Sequence, residues 1–304
     1  MDKTDRVNCT LYCYPFSLYS IMVRYLIQLA KTSSEPHDAT SPELRIREQV
    51  LDLDHDENIA EWYLLNVNRK GQVPAMTVEG AVAPITDSLD ISFWLCDMFP
   101  QLLPPQHEPA IRRLLRDLHA IEGISITIRR REGPEEDLID PCVDNMLARD
   151  DIGPEYRQAL EAKKVFHVPK ASHHVNVDQA EQQTATLLAE VARLYERHGQ
   201  GAWLLDGADA GPTLLDAQIV PFVSRVEDAG RARLVPEALL RYAAARRASP
   251  AWDVVTGGKG TIRRKEYGPV RDMYDMSADV PPTTLCIPTA SGKERRAQCL
   301  RVKS

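Results

Sequence analysis

The stretch from Val67 to Ser92, "VNRKGQVPAMTVEGAVAPITDSLDIS", sets two kinds of binding group close together. A short strand runs through Val73-Pro74, and after a turn back the chain enters Asp87-Ser88 at the expected start of a helix. The first half offers bare backbone N–H and C=O groups. The second offers a carboxylate, a hydroxyl and the unpaired amides of a helix N-terminus, which favour anions. Together they read as a cradle for a small peptide with an α-amino acid end. Taken singly, Val73-Pro74 reads as a strand turn and Asp87-Ser88 as an ordinary helix cap; their joint spacing is what points to a ligand.

Other chemistry-bearing residues read more simply. The cysteines Cys9, Cys13, Cys96, Cys142, Cys286 and Cys299 form no C-x-x-C pair and show no zinc spacing. With no apolar leader in "MDKTDRVNCT", they are expected to be reduced thiols of a cytoplasmic protein, Cys13 packing as a small apolar residue. His167, His173 and His174 in "FHVPKASHHV" lack acidic or thiol partners at ligand spacing, so a surface loop and no metal are expected. Asp216 reads as a structural cap rather than an acid catalyst, "IRRRE" at 128–132 as a solvated face, and "GGKG" lacks the spacing of a phosphate loop. A net charge of -7 argues against a general nucleic-acid binder. No apolar run approaches the ~20 residues of a membrane span.

The elements that must position these groups follow from periodicity. "CTLYCYP" alternates with period two and stops at Pro15; "SLYSIMVRYLIQLA" has helical spacing; "KTSSEPHDATSPE" is a polar loop; "IREQVLDLD" and "QVPAMTV" are strands, with the short helical piece "NIAEWYLLNVN" between them. "AVAPIT" is a brief extended segment, and "DSLDISFWLCDMF" a helix. This is an α/β unit over residues 8–100, followed by the proline-rich linker "FPQLLPPQHEP". Residues 106–257 are expected to be all-helical. "IRRLLRDLHAI" and "QAEQQTATLLAEVARLYERHG" carry one-sided apolar stripes, and "GPTLLDAQIVPFVSRVEDAG" opens on Thr213 with Asp216 three residues on, a variant capping box. Residues 258–304 carry ten Lys/Arg against five Asp/Glu and no apolar period. They are expected to form a loose basic tail, dispensable for folding, unless "YGPVRDMYDM" closes over a cleft as a lid.

Four of these pieces, in this order, resemble the cytosolic glutathione transferase superfamily over about residues 9–257. "LYCYPFSLYSIMVR" is similar to the family's first strand, active-site loop and first helix. "NRKGQVP" resembles its N-P-x-G-x-V-P stretch, with Arg69 where proline is usual. "ITDSLDI" is similar to its Glu/Asp-Ser-x-x-Ile helix start, and "TLLDAQIVPFV" to the capped core helix of its helical domain. The insertion "KTSSEPHDATSPE" and the tail lie outside the pattern. The resemblance implies an α/β plus all-α fold, a thioredoxin-like domain followed by a helical one. It implies glutathione as cosubstrate and a cis bond at Val73-Pro74 that turns the Val73 backbone toward the cysteinyl residue of glutathione. Asp87 and Ser88 would take the γ-glutamyl end, with help from Gln72.

The thiol must be ionised to react, and a hydroxyl donating to sulfur favours the charged form. Ser17 matches the serine position of the theta, delta and zeta classes. Ser20 is the second choice; Tyr14 or Tyr12 would serve as in the tyrosine classes. Tyr14 stands where the omega class has cysteine, so disulfide exchange is not expected. Ser17 and Tyr14 also have purely structural readings, as a helix cap and as a strand-end aromatic. The implied activity is attack of the thiolate on an apolar electrophile, such as a secondary metabolite. Two alternatives stand: glutathione-dependent cis–trans isomerisation, since "SLYSIMVR" matches the zeta pattern, and a non-catalytic regulator or assembly module that keeps the fold. A homodimer is expected, with no nucleic-acid or membrane partner.

Overall fold

The computed structural model describes residues 6–33, 42–127, 142–172, 177–205, 211–276 and 280–288. Strand β1 (Arg6–Cys13) buries Cys9, Leu11 and Cys13 and leaves Thr10 and Tyr12 half-exposed, as its period-two alternation predicts. Helix α1 (Leu18–Thr32) crosses over to β2 (Glu43–Val50), which pairs parallel to β1. The chain then makes two 3₁₀ turns and the short α2 (Glu61–Asn66) before β3 (Ala75–Val78), which pairs antiparallel to β1. Helix α3 (Ser88–Met98) closes this half.

The fourth strand is not the expected "AVAPIT". That segment contributes a single bridge, Met76 to Ile85. Instead β4 (Thr283–Cys286), from the segment expected to be a loose tail, pairs antiparallel to β2, and the sheet order is β3-β1-β2-β4. Leu285 and Ile287 are buried, as is Val270 upstream. The expectation of a loose tail is therefore corrected for residues 258–276 and 280–288; residues 289–304 lie outside the described residues. The segment lacks a periodic apolar face because it builds no core of its own: single apolar residues dock onto a core that other elements have made. Leu285→Ala is expected to destabilise the chain by about 2–5 kcal/mol, the usual range for a large-to-small change at a buried site. A thermal melt checks this, and a melting temperature equal to that of the wild type would restore the dispensable tail.

The helical half contains α4 (Glu108–Ala120), α5 (Gly123–Thr127), α6 (Cys142–Leu147), α7 (Pro154–Ser172), α8 (Val177–Arg197), α9 (Leu214–Asp228), α10 (Glu237–Arg247) and α11 (Pro250–Thr256), with the short α12 (Val270–Met273) beyond it. Helices α1 and α9 are buried on nearly every side, because α1 lies between the sheet and the helices α9 and α11. That sandwich explains why "SIMVRYLIQLA" is apolar nearly all round. One continuous apolar core consequently runs through both halves.

The cations buried in α1 and α9, Arg24 and Arg225, serve as ties. Arg24 of α1 reaches Glu48 of β2 at 2.7 Å and the carbonyls of Val254 and Val255 at the end of α11. A guanidinium suits the negative end of a helix. A smaller satellite core packs α7 on α2 through Ile59, Leu64, Tyr156 and Leu160. The "IRRRE" segment and His173 and His174 lie outside the described residues. Among the described residues no helix is long and apolar enough to cross a membrane.

Candidate functional site

The chain turns from β1 into α1 through Tyr14-Pro15-Phe16-Ser17. Ser17 is the N-cap of α1, with extended backbone, and its Oγ accepts from the N–H of Ser20 at 3.4 Å. A hydroxyl has one proton to give, and among the described residues that of Ser17 has no acceptor. Ser17 lines a cleft of about 700 Å³ between the two halves, together with Gln72 of the first half and residues of α4, α5, α8 and α9.

The other hydroxyl candidates are committed elsewhere. Ser20 is fully buried and its Oγ accepts from the N–H of Tyr14 at 3.2 Å, so it ties the loop to the helix. Tyr14 is buried and its hydroxyl donates to Asp54 at 3.0 Å. Burial and the Asp54 carboxylate hold its ionisation far above the ordinary phenol range. Tyr12 packs edge-on against Tyr63 and tilted against Trp62. Cys13 is wholly buried, and burial pushes its thiol up to about 12, which suits an inert packing residue.

On the opposite side of the loop, the peptide bond Val73-Pro74 is cis. Gly71 prepares it: its φ is +55°, and a Cβ there would lie 2.8 Å from the carbonyl oxygen of Asn58, so glycine is required on two counts. Asn68 and Tyr63 both donate to the Gln72 carbonyl, at 2.9 and 2.7 Å. Lys163 reaches in from α7 to the carbonyls of Lys70 and Gly71 at 2.8 and 2.9 Å. The segment is thus held along its backbone up to Gln72. Among the described residues nothing hydrogen-bonds to the backbone N–H or C=O of the next residue, half-buried Val73.

Asp87 is the N-cap of α3, accepting from the amides of Leu89 and Asp90 at 2.8 and 3.2 Å through one carboxylate oxygen. It is exposed, whereas Ser88, the first helical residue, is buried. Asp87 also lies within electrostatic reach of the cleft: its charge disfavours ionisation of the Tyr19 phenol and favours the charged form of His119. Its cap and the cleft are further joined by a hydrogen-bonded chain. His119 meets the side-chain oxygen of Gln218 at 3.1 Å, Gln218 donates to Ser92 at 3.3 Å, and Ser92 donates to the carbonyl of Ser88 at 2.7 Å. Burial lowers the ionisation of His119, favouring the neutral ring.

Sequence reasoning missed Tyr19, His119, Gln218, Lys163 and Arg225. Tyr19 and His119 meet at 5.4 Å, tilted by 33°, on the cleft wall, and a Cβ at Gly123 would crowd the Tyr19 hydroxyl at 3.3 Å. Arg225 carried one legible signal: a cation inside the otherwise apolar run "IVPFVSRV". Asp216, read as a cap, is one: it completes a capping box with Thr213 at the start of α9. Among the described residues no three His, Cys, Asp or Glu side chains gather as a metal site.

No protein-family model matches the chain, and no curated protein matches it. Solved structures do. A beta-etherase from Sphingobium sp. strain SYK-6 superimposes with a TM-score of 0.53 at 17% identity, covering 83% of this chain and 99% of that one. A glutathione transferase from Pseudomonas putida, with one glutathione disulfide bound per subunit, superimposes with a TM-score of 0.53 at 14% identity, covering 86% and 94%. With a mixed four-stranded sheet carrying the cis-proline turn, and a helical half docked on α1, this chain has the glutathione-transferase fold.

Proposed function

We propose that the chain is a glutathione-dependent enzyme in which Ser17 activates the thiol. The observation that carries this is the pairing of an unengaged Val73 backbone, next to the cis proline, with a cleft-lining Ser17 hydroxyl that has no acceptor among the described residues. An extended cysteinyl backbone could pair with Val73 as an added strand. The γ-glutamyl carboxylate would meet Ser88 and the amide end of α3, and its ammonium group the free oxygen of Asp87. With its proton given toward sulfur, Ser17 stabilises the thiolate, and the N-terminus of α1 adds its positive dipole end. The sulfur lone pair then forms the bond to an electrophilic carbon, and the electron pair of the broken bond leaves with the departing group or moves onto a conjugated carbonyl.

The cleft has a mixed lining. Tyr19, His119, Thr127, Gln183 and Arg225 face the same space as Leu18 and Ile124. An electrophile with an apolar body and a hydrogen-bonding or anionic group suits it better than a hydrocarbon. The isomerase alternative stands beside it: Ser17, Ser20, Val23 and Arg24 keep the zeta-like spacing, with Ser20 and Arg24 serving as buried ties.

Calorimetry with glutathione tests the reading. Ser88→Ala and Asp87→Asn are each expected to weaken binding by about 1.5–3 kcal/mol, the range for hydrogen bonds to charged groups. Asparagine keeps the cap of α3, so Asp87→Asn separates the charge from helix stability. Wild-type affinity in both variants would sink the cradle. A wild type with no affinity for glutathione would leave the non-catalytic reading.

A further inference from the structure

The segment after α11 returns across the loop that holds Ser17. Phe16, immediately before Ser17, has its ring stacked on Tyr267 at 5.7 Å and 16°. Tyr14 meets the same ring edge-on at 5.7 Å, and Tyr274 approaches edge-on at 6.5 Å. Arg263 lies 5.7 Å from the same ring and pairs with Asp54 at 2.9 Å, and Asp54 in turn accepts from Tyr14. The two tyrosines of "YGPVRDMYDM" therefore grip the thiol loop from behind. Neither lines the cleft, so the expected lid is not what they form.

Arg225 of α9 fastens the same loop through its backbone. It is 5% exposed and donates to the carbonyl of Phe16 at 2.7 Å, to the carbonyl and hydroxyl of Thr261 at 2.7 and 3.1 Å, and to the hydroxyl of Thr127 at 3.1 Å. Thr261 is itself held by Asp228, which accepts from its hydroxyl at 2.7 Å. Among the described residues no carboxylate lies within ion-pair distance of Arg225. A buried cation without an ion-pair partner is costly, and only a rigid fork of donors could join three segments in this way. Burial lowers its ionisation to about 10, so it stays charged at neutral pH and holds a positive potential beside Ser17.

We propose that Arg225 and the strap over residues 258–276 are positioning elements of the active site: they fix Phe16 by ring and carbonyl, and so aim the Ser17 hydroxyl at the thiol. The proposal rests on the glutathione reading above. A cap residue whose preceding peptide is free to rotate loses its aim, and a displacement near 1 Å can cost about a hundredfold in rate.

The test uses full-length protein and glutathione alone as the first probe. The pKa of the bound thiol is read from its ultraviolet thiolate absorbance, in wild type, Tyr267→Leu, Thr261→Val, Arg225→Lys and Arg225→Met. The expected result is a thiol pKa raised in all four, most in Arg225→Met, with the dissociation constant for glutathione within about threefold of wild type. With chlorodinitrobenzene as electrophile, kcat is expected to fall about tenfold or more in each while KM for glutathione barely moves. If Arg225→Met does not fold, the two strap variants carry the test. Variants that melt at a lower temperature yet keep the wild-type thiol pKa would overturn the proposal and leave the strap a purely structural tie. A wild type that binds no glutathione by calorimetry would overturn the parent reading as well, and that outcome is visible before any variant is made.

Discussion

Ser17→Ala is expected to lower kcat by roughly two to three orders of magnitude while leaving glutathione affinity nearly unchanged. The magnitude follows from the loss of one donor to a developing or resident anion, about 2.7–4 kcal/mol in comparable sites. The site supplies the sign. The Ser17 oxygen already accepts from Ser20, so its proton is what it offers the sulfur, and that proton favours the thiolate. Removing it raises the thiol pKa, so the acidic limb of the pH–rate profile moves to higher pH. Ser17 also caps α1, and alanine at a cap costs about 0.5–2 kcal/mol of stability. Ser17→Thr keeps both functions and is the rescue control. Tyr14→Phe is expected to have a much smaller kinetic effect, because the lost hydroxyl served Asp54. Tyr19→Phe is the sharper competitor, since Tyr19 lines the same cleft. If Ser17→Ala keeps the wild-type rate and pH profile while Tyr19→Phe is inactive, the serine is a cap and the tyrosine carries the chemistry.

The largest loss of stability is expected from Asp216→Ala. Asp216 is fully buried at the start of α9 and accepts four hydrogen bonds. The donors are the amides of Leu204 and Thr213, at 2.9 and 2.7 Å, and the hydroxyls of Thr213 and Tyr242. Alanine strands all four inside the core, and each unsatisfied buried group costs about 1–3 kcal/mol. The sum exceeds the ~4 kcal/mol that marks an exceptional point mutation, so the melting temperature should fall by roughly ten degrees or more. Asp216→Asn keeps one acceptor oxygen and should recover part of the loss. A melt of Asp216→Ala close to wild type would refute this account of the α9 cap. Reduced turnover in a folded Asp216→Asn, out of proportion to its stability, would reopen the acid-catalyst reading that the capping geometry argues against.

Local patterns in the sequence determined much of this protein. Alternation along "CTLYC" gave β1 and its buried face, and helical spacing gave α1, α3, α4, α8 and α9. Ser17, Asp87 and the Thr213–Asp216 pair were legible as helix starts because a cap is made by neighbours within a turn. The cis-proline turn was legible only through resemblance, since X-Pro permits either isomer. Tertiary structure decided what joins distant segments. The fourth strand pairs Glu43 with Cys286 across most of the chain, and nothing in "TTLC" by itself names β2 as its partner. Lys163 and Arg225 bond to backbone carbonyls, which carry no side-chain signature that a sequence could reveal. The segment after α11 read as a loose tail because its tyrosines, Val270 and Leu285 follow no period; each is buried or gripped singly by a surface that other elements provide. Periodicity records the face an element makes for itself, and these residues occupy faces made by others.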